Sequence, residues 1–320
     1  MKELYSGKGE KTQFLTYDGL DDIGQELLKT ARETVLALNK THRCTNFIYF
    51  TDPHMSADGQ LYQTQTITAE PSLKMVASLA KERWADAIFC GGDVINAYNS
   101  DFSMALARFA ELSEYFKDVN IPVYFCKGNH DDNMKVSADH RLTNGIWSAI
   151  TKPWQNGAVY NPAHMDGGYF YVDLPNDVRV FVWNQFDSDS SWNDTNPGTT
   201  AVQSNFFREK LNDGKTLVTM WHNPESGATG ANTMANEYAN SACVINAHTH
   251  ADALTEGTVP KFTVGRSFAV TKVTNQAHIV DEGANQYCVS VFSIDTVNKI
   301  VYETRIGRGE SRQATYGATE

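Results

Sequence analysis

The chain has 320 residues, of which 41% are hydrophobic and 20% charged, and its net charge is −11. This length and composition are ordinary for a globular protein with a sizeable core, and the acidic balance argues against nucleic acid or an anionic membrane as a partner. The cysteine count is odd and no C-x-x-C pair occurs, so we expect buried reduced thiols. Neither a signal peptide nor a membrane-spanning run is evident, which predicts a cytoplasmic protein.

The first half of the chain alternates predicted helices and strands. Apolar periodicity predicts helices at about 21–40, 70–84 and 101–117 and strands at 46–51, 85–90 and 122–126. A β, α, β, α, β order with short connections favours a parallel sheet with right-handed crossovers. Residues 131–166 break this pattern, and we expect an irregular insertion there that is functional or mobile.

The second half is richer in predicted strands. The pattern predicts a hairpin around 174–177, a helix at about 200–212, strands at 216–220 and 242–246, and short β runs at 262–264, 277–280, 287–294 and 300–305. Both ends are polar, which predicts an N-terminal extension over about 1–44 and a polar C-terminal tail over about 306–320. No repeat or linker divides the chain, so a single domain is expected.

Residue types that bind metal ions stand at the ends of five predicted strands. These strand ends are Asp52-x-His54, Gly92-Asp93, Gly128-Asn129-His130-Asp131, His222 and His248-x-His250. Residues i and i+2 lie on the same side of a strand, and ligand sites of open α/β sheets lie beyond the C-terminal strand ends. We therefore expect these side chains to converge on one crevice.

The predicted donor set is larger than one ion requires. One ion is saturated by about four protein ligands, and the mixture of carboxylate, amide and imidazole suits divalent Mn, Fe, Zn or Mg. Two ions sharing a bridging carboxylate would use all the donors. Such a pair clamps the attacking and leaving oxygens of a phosphoryl group and lowers the pKa of a bridging water from about 15.7 towards about 7. The sequence therefore predicts attack by hydroxide on a phosphoester.

Taken in order over residues 46–250, the five blocks resemble the calcineurin-like metallophosphoesterase superfamily. Its signature runs D-x-H, G-D, G-N-H-[D/E], a lone His and G-H-x-H. The resemblance implies an α/β fold, a four-layer α/β/β/α sandwich of two mixed sheets flanked by helices. It also implies metal ligands and catalytic residues: Asp52, His54 and His250 on the first metal, Asn129, His222 and His248 on the second, Asp93 bridging both, His130 beside the leaving oxygen, and Asp131 orienting the ring of His130.

Two positions depart from this signature. Pro53 lies between the first Asp and His, where it favours an extended Asp52 but removes one backbone N–H. Ala247 replaces the glycine of G-H-x-H, and if that position needs a positive φ, alanine costs about 1–2 kcal/mol. Neither change removes a metal ligand.

Other candidates in and near the insertion admit two explanations. His140 and His164 are more typical of solvated residues than of ligands. The aromatic residues of this part of the chain are equally consistent with a wall for the substrate and with hydrophobic packing beneath a long loop. They are Trp147, Trp154, Tyr160 and Trp192.

Two enzyme functions remain open for a small phosphoester substrate, and two further hypotheses are kept beside them. A phosphodiesterase is favoured because no Lys or Arg cluster near the motifs would hold a dianionic monoester, although Lys127 and Arg141 are candidates for a phosphomonoesterase. Residues 305–312 resemble the ends of calcineurin-like domains encoded in phage genomes, which leaves open a metal-binding component of an assembly or of a phage particle. A nuclease ranks lower because the chain is acidic. Oligomeric state is left open.

Overall fold

The computed structural model describes residues 19–55, 61–62, 65–96, 102–132, 142–187, 198–211, 213–225, 228–273 and 280–317. The helices in these ranges are α1 (Asp22–Leu38), α2 (Glu70–Leu79), α3 (Phe102–Phe116), α4 (Asn144–Thr151), α5 (Ala201–Arg208) and α6 (Thr229–Glu237). The strands are β1 (Thr45–Phe50), β2 (Leu61–Tyr62), β3 (Gln65–Thr68), β4 (Ala87–Cys90), β5 (Val123–Phe125), β6 (Val159–Tyr160), β7 (Phe170–Leu174), β8 (Val178–Val182), β9 (Thr216–Met220), β10 (Ser241–Asn246), β11 (Ala253–Thr255), β12 (Lys261–Thr263), β13 (Ala269–Val273), β14 (Cys288–Asp295), β15 (Ile300–Gly307) and β16 (Arg312–Thr315).

Two mixed sheets dominate the fold. The first has the order β16-β15-β14-β1-β4-β5, in which β1, β4 and β5 are parallel and β14 joins β1 antiparallel. The second has the order β11-β12-β10-β9-β8-β7-β6, in which β8, β9, β10 and β12 are parallel. A smaller sheet has the order β13-β3-β2. The parallel strands of each large sheet end on one edge, and the candidate site lies there.

The apolar core divides into layers because successive residues of a buried strand face opposite sides. In β1, Ile48 and Phe50 pack against the helices on one side, whereas Phe47 and Tyr49 join the apolar layer that includes residues of both sheets. A third cluster joins the outer side of the second sheet to α5 and α6. This is the predicted four-layer α/β/β/α sandwich, and the prediction of fold class is confirmed.

Several details differ from the sequence-based expectations. Within the predicted polar tail, Arg312–Thr315 forms the edge strand β16, and β15 continues to Gly307. Within the predicted N-terminal extension, the helix expected at about 21–40 is confirmed as α1, and it packs on the first sheet. The expected irregular insertion contains α4, whose Thr143 side chain caps it by accepting a hydrogen bond from the Ile146 amide. These polar segments form regular structure because their apolar residues contact partners far away in the chain.

Other expectations concern the cysteines and membrane spans. All five cysteines are free thiols and are buried, as expected: Cys44, Cys90, Cys126, Cys243 and Cys288. Over the part of the chain that the structure describes, no helix combines the length and the apolar character that crossing a bilayer requires. The predicted β run at 277–280 falls mostly on residues 274–279, outside the described residues.

Candidate metal centre

The strand-end residues converge at the edge where β1, β4, β5, β9 and β10 end. Donor atoms of Asp52, His54 and His250 lie within 4.8 Å of one another. The Nε2 atoms of His54 and His250 are 3.2 Å apart, and Nε2 of His250 is 3.3 Å from Oδ1 of Asp52. These are the three residues that the family resemblance implies for one metal.

A second group of donors adjoins the first. Asp93, His222 and His248 also offer atoms within 4.8 Å of one another. Nε2 of His222 is 3.2 Å from Oδ2 of Asp93, and Nδ1 of His248 is 2.9 Å from Oδ1 of Asn129. The structure therefore also brings together the residues implied for the second metal.

Asp93 stands between the two groups. Its Oδ2 lies 3.2 Å from Nε2 of His222 and 3.7 Å from Nε2 of His54, so one oxygen faces both clusters. Its Oδ1 accepts a hydrogen bond of 2.8 Å from the backbone N–H of His130. That bond fixes the carboxylate, and the geometry suits a bridging ligand.

Two buried polar atoms indicate that the cluster accommodates cations. Oδ1 of Asp52 and Nε2 of His222 are buried and have no hydrogen-bond partner among the described residues. Nδ1 of His222 lies 2.8 Å from the carbonyl oxygen of Gly91, which keeps a proton on Nδ1, so a metal that displaces the second ring proton would bind the lone pair of Nε2. Unpartnered buried acceptors are costly, and a divalent ion would satisfy them. The residues present fit the metal pair that the family resemblance implies.

The pKa values of the residues in this cluster depend on one another. Burial alone would raise the pKa of Asp93, but His222 and His130 outweigh it and hold that pKa well below its usual value. Burial lowers the pKa of His222, but the Asp93 and Asp52 carboxylates outweigh it and raise that pKa to about 9. The pKa of His54 is lowered by burial and by the neighbouring His130. Buried charges in this site depend on opposite charges beside them, as expected where cations bind.

Five of the metal-binding candidates have left-handed backbone conformations. Their φ angles are 49° at Asp52, 45° at His54, 53° at Asp93, 70° at His248 and 59° at His250. The expectation that Pro53 keeps Asp52 extended is therefore wrong. Non-glycine residues rarely adopt this region, and its concentration here is typical of functional sites. Ala247 is not among the residues with positive φ, so its replacement of glycine costs no left-handed strain.

Two glycines are required by close approach of the strand ends. A Cβ at Gly128 would lie 2.1 Å from Oδ1 of Asp93, and one at Gly92 would lie 2.6 Å from Nδ1 of His222. Gly92 also has a φ of 110°. Side chains at either position would displace the Asp93 or His222 donors, which explains these glycines physically.

The contacts of Asp131 differ from the expected role of orienting the ring of His130. Its carboxylate accepts hydrogen bonds from the backbone amides of Asp93, Val94, Ile95 and Gly128 at 2.7–3.3 Å. These bonds join the loop after β4 to the loop after β5. Burial and the neighbouring Asp93 raise the pKa of Asp131, and the amide bonds oppose that rise because they favour the charged carboxylate. Asp131 is therefore a structural link beneath the site, because its oxygens bond to the backbone.

His130 lies at the edge of the first group. Its ring meets that of His54 edge-on, with the centroids 4.7 Å apart, and its donor atom lies within 4.8 Å of those of His54 and Asp93. The residue is 8% exposed. This position allows contact with a substrate held at the cluster.

Other expected candidates lie away from the cluster or outside the described residues. Nζ of Lys127 is buried and donates to Oδ1 of Asn144 at 2.6 Å, so it is not presented to a substrate. His164 lies beside Tyr169 and Asp187. Trp147 is buried in the first core and Trp154 packs against it, which favours the packing explanation. His140, Arg141 and Trp192 lie outside the described residues.

Two residues at the site carried no sequence signal. Thr51 donates from Oγ1 to Oδ2 of Asp52 at 2.8 Å, which leaves Oδ1 directed at the cluster. The ring of Phe268 lies edge-on to the rings of His54 and His250, with centroids 5.6 and 5.3 Å apart. The spacing of Phe268 from the motifs does not indicate that it belongs to the site. Only its position in the fold shows this.

The profile of the calcineurin-like phosphoesterase family matches residues 45–252, and the chain belongs to this family. It is accordingly a metal-dependent phosphoester hydrolase. A solved dimetal phosphatase from Danio rerio is 12% identical, with a TM-score of 0.64, over 86% of this chain and 100% of that one. A purple acid phosphatase from yellow lupin seeds is 12% identical, with a TM-score of 0.55, over 85% of this chain and 54% of that one. At this identity the two structures support the shared fold. The comparison with curated proteins gave no match.

Proposed function

We propose that the chain hydrolyses phosphodiesters with two divalent metal ions. Asp52, His54 and His250 would hold one ion and Asn129, His222 and His248 the other, with Asp93 shared. The observation that carries the proposal is the pair of adjoining donor groups on either side of Asp93, with unpartnered buried atoms at Asp52 and His222. Mn, Fe, Zn and Mg all accept such donors.

Two divalent ions would supply a hydroxide nucleophile near neutral pH and stabilise charge on the phosphoryl oxygens. The protein fixes the donors before substrate binds: Asp93 through the His130 amide, Asp52 through Thr51, and His222 through the Gly91 carbonyl. The imidazole of His130 would donate a proton to the leaving oxygen. Phosphoester cleavage thus needs no serine or cysteine nucleophile.

Preference for a diester is supported by the state of the nearby cations. A dianionic monoester is best held by a guanidinium or ammonium group that has no other partner. Near the ring of Phe268, however, Arg266 and Arg308 both pair with Asp281, at 3.1 and 3.0 Å. Lys127 bonds to Asn144 inside the protein. The described cations near the site are therefore engaged, which favours a substrate with one negative charge.

The test combines metal analysis with turnover of bis-nitrophenyl phosphate and nitrophenyl phosphate in added Mn²⁺. We expect close to two metal ions per chain, faster hydrolysis of the diester, and loss of both ions and activity in Asp93→Asn. Asp295→Asn is the matched control because Asp295 is also a buried aspartate, but it lies beyond the N-terminal end of β1, opposite the site. The control should keep both metal ions and turnover.

Other results would reject the proposal in distinct ways. Faster cleavage of the monoester would overturn the substrate preference alone. Retained turnover in Asp93→Asn would overturn the shared-ligand mechanism. Two bound ions without hydrolysis of either compound would favour the assembly hypothesis, although residues 305–312 bond mainly within the domain rather than being presented to a partner.

A further inference from the structure

The loop that carries His248 and His250 is the least enclosed part of the metal centre. The side chain of His250 is 20% exposed, whereas those of Asp52, His54 and His222 are fully buried. Both histidines also have positive φ, a conformation that persists only where surrounding contacts impose it. The His248 amide donates to Oδ2 of Asp52 at 3.2 Å, which ties the start of this loop to the first donor group. The far end of the loop has a separate anchor, two residues beyond His250.

That anchor is an ion pair between Asp252 and Arg305. Nη2 of Arg305 lies 2.9 Å from Oδ1 and 3.1 Å from Oδ2 of Asp252, two residues after His250. Oδ1 of Asp252 also accepts the backbone N–H of Gly265 at 2.8 Å. The carboxylate therefore joins the His250 loop to the loop that leads to Phe268.

Arg305 itself is held on every side. Its side chain is 1% exposed, Nη1 donates to Oγ of Ser290 at 2.8 Å, and Nε donates to the carbonyl oxygen of Arg308 at 2.9 Å. Charge-assisted bonds of a planar guanidinium hold a carboxylate in a defined orientation, which an ammonium group cannot do equally well. Because Nε, Nη1 and Nη2 of Arg305 all have partners, we expect the side chain to be a rigid anchor.

The turn between β15 and β16 is shaped to this ion pair. Gly309 has a φ of 98°, and a Cβ there would lie 2.4 Å from Oδ2 of Asp252 and 2.9 Å from Nε of Arg305. Arg308 from the same turn donates to the carbonyl oxygens of Arg266 and Phe268. One turn thus contacts both loops that wall the first metal position.

We propose that Arg305, acting through Asp252, is a positioning residue for the metal position formed by Asp52, His54 and His250. The inference rests on the proposed two-metal function. Arg305 touches no donor atom; it fixes the loop on which the imidazole of His250 stands, while the turn fixes Phe268 against that imidazole. His248 has separate supports, namely the Asp52 carboxylate, Asn129, and the Ala247 amide bonded to the His222 carbonyl. Loss of the ion pair should therefore weaken the binding of one metal ion more than that of the other.

The experiment is a Mn²⁺ titration of the metal-depleted full chain, in which electron paramagnetic resonance measures free Mn²⁺. Arg305→Lys should weaken one of the two binding events by about 10-fold or more, the usual size of effect for groups that orient metal ligands. The other event should change little. Asp252→Asn, a milder change at a partly exposed residue, should give the same selective loss, and the double variant should be no worse than Arg305→Lys.

Arg179→Lys is the matched control. Arg179 is also buried and pairs with Asp173 at 2.6 Å, but it lies near the start of β8, at the opposite end of that strand from the site. The thermal unfolding temperature of the metal-free protein should be lower in both arginine variants than in the wild type, because each variant loses a buried ion pair. Only Arg305→Lys should alter Mn²⁺ binding, and excess Mn²⁺ should restore its turnover.

Three results would overturn the inference. Wild-type affinity at both sites in Arg305→Lys and Asp252→Asn would show that the ion pair does not position His250. Equal weakening of both sites would indicate a general structural role. Absence of Mn²⁺ binding by the wild-type chain would reject the proposed function together with this inference, whereas two bound Mn²⁺ ions without hydrolysis would reject the proposed function alone.

Discussion

The loop after β5 and the loop after β10 both deliver metal-binding candidates, but they are anchored in different ways. In the first, residues 128–132, the anchor is Asp131, whose carboxylate accepts backbone amides of its own loop and of the loop after β4. In the second, residues 247–252, the ion pair reaches Asp252 from Arg305, 53 residues further along the chain. The first loop is fixed from within its motif and the second from outside it.

This difference predicts how substitutions in each loop affect folding stability and metal affinity. The Asp131 bonds are buried and bring β4 and β5 together before any ion binds, so the donors Asp93 and Asn129 are preorganised. The His248–His250 loop is partly exposed and has strained φ angles, so a bound ion would contribute more of its order. Perturbing the first loop should cost folding stability, and perturbing the second should cost mainly metal affinity.

Gly128→Ala should have the largest effect. The added Cβ would lie 2.1 Å from Oδ1 and 2.3 Å from the backbone nitrogen of Asp93, so the two loops must separate. We expect a loss of about 3 kcal/mol in unfolding free energy, the upper part of the usual range for overpacking, together with loss of Mn²⁺ binding. Urea unfolding and metal analysis measure the two effects.

The control for this substitution is Gly145→Ala in α4. At Gly145 the nearest atom to an added Cβ is 3.8 Å away, so no displacement is needed and stability should stay the same or rise slightly. Wild-type stability and metal content in Gly128→Ala would show that the two loops are not closely packed in solution.

Asp131→Asn should have the next largest effect. An amide in place of the carboxylate puts an NH₂ group against backbone N–H donors, and leaving one buried donor unpaired costs about 1–3 kcal/mol. Metal affinity should fall as well, because the amides concerned include that of Asp93. Urea unfolding measures the loss of stability, and Mn²⁺ titration measures the loss of metal affinity.

Asp295→Asn is the control, since Asp295 also accepts two backbone amides, from Val297 and Asn298, far from the site. It should lose stability to a similar extent and keep its Mn²⁺ affinity. If Asp131→Asn instead reduced turnover while stability and metal binding stayed normal, the original expectation that Asp131 orients His130 would be supported.

Metal removal should distinguish the behaviour of the two loops directly. In native-state hydrogen exchange, the amides of His248 and Thr249 should exchange about 10-fold faster without metal, a change of about 1.4 kcal/mol in local opening free energy. The amides of Val94 and Ile95 bond to Asp131 and should change less. Equal loss of protection in both loops would contradict the difference in anchoring.

The same difference explains what could be predicted from sequence. Asp52, His54, Asp93, His222 and His250 follow apolar strands directly, so local pattern and strand direction were enough to place them together. The backbone bonds of Asp131 could not be predicted, because hydrogen bonds to backbone amides leave no residue-type signal. Arg305 was missed because a polar segment near the end of a chain resembles a solvated tail, and its partner is distant in sequence.

Ala247→Gly should have the smallest effect, and it tests the one departure from the family signature in this loop. The sequence suggested that alanine costs energy if this position needs a positive φ, but φ is not positive there and the side chain is fully buried. Glycine would therefore only increase the conformational entropy of the unfolded chain and remove a packed methyl group, at a cost of about 0.5–1 kcal/mol. Urea unfolding of the metal-free variant measures this cost. A gain in stability would instead mean that the loop carries left-handed strain at Ala247 as well, and that the anchor at Arg305 restrains a longer strained segment than residues 248–250.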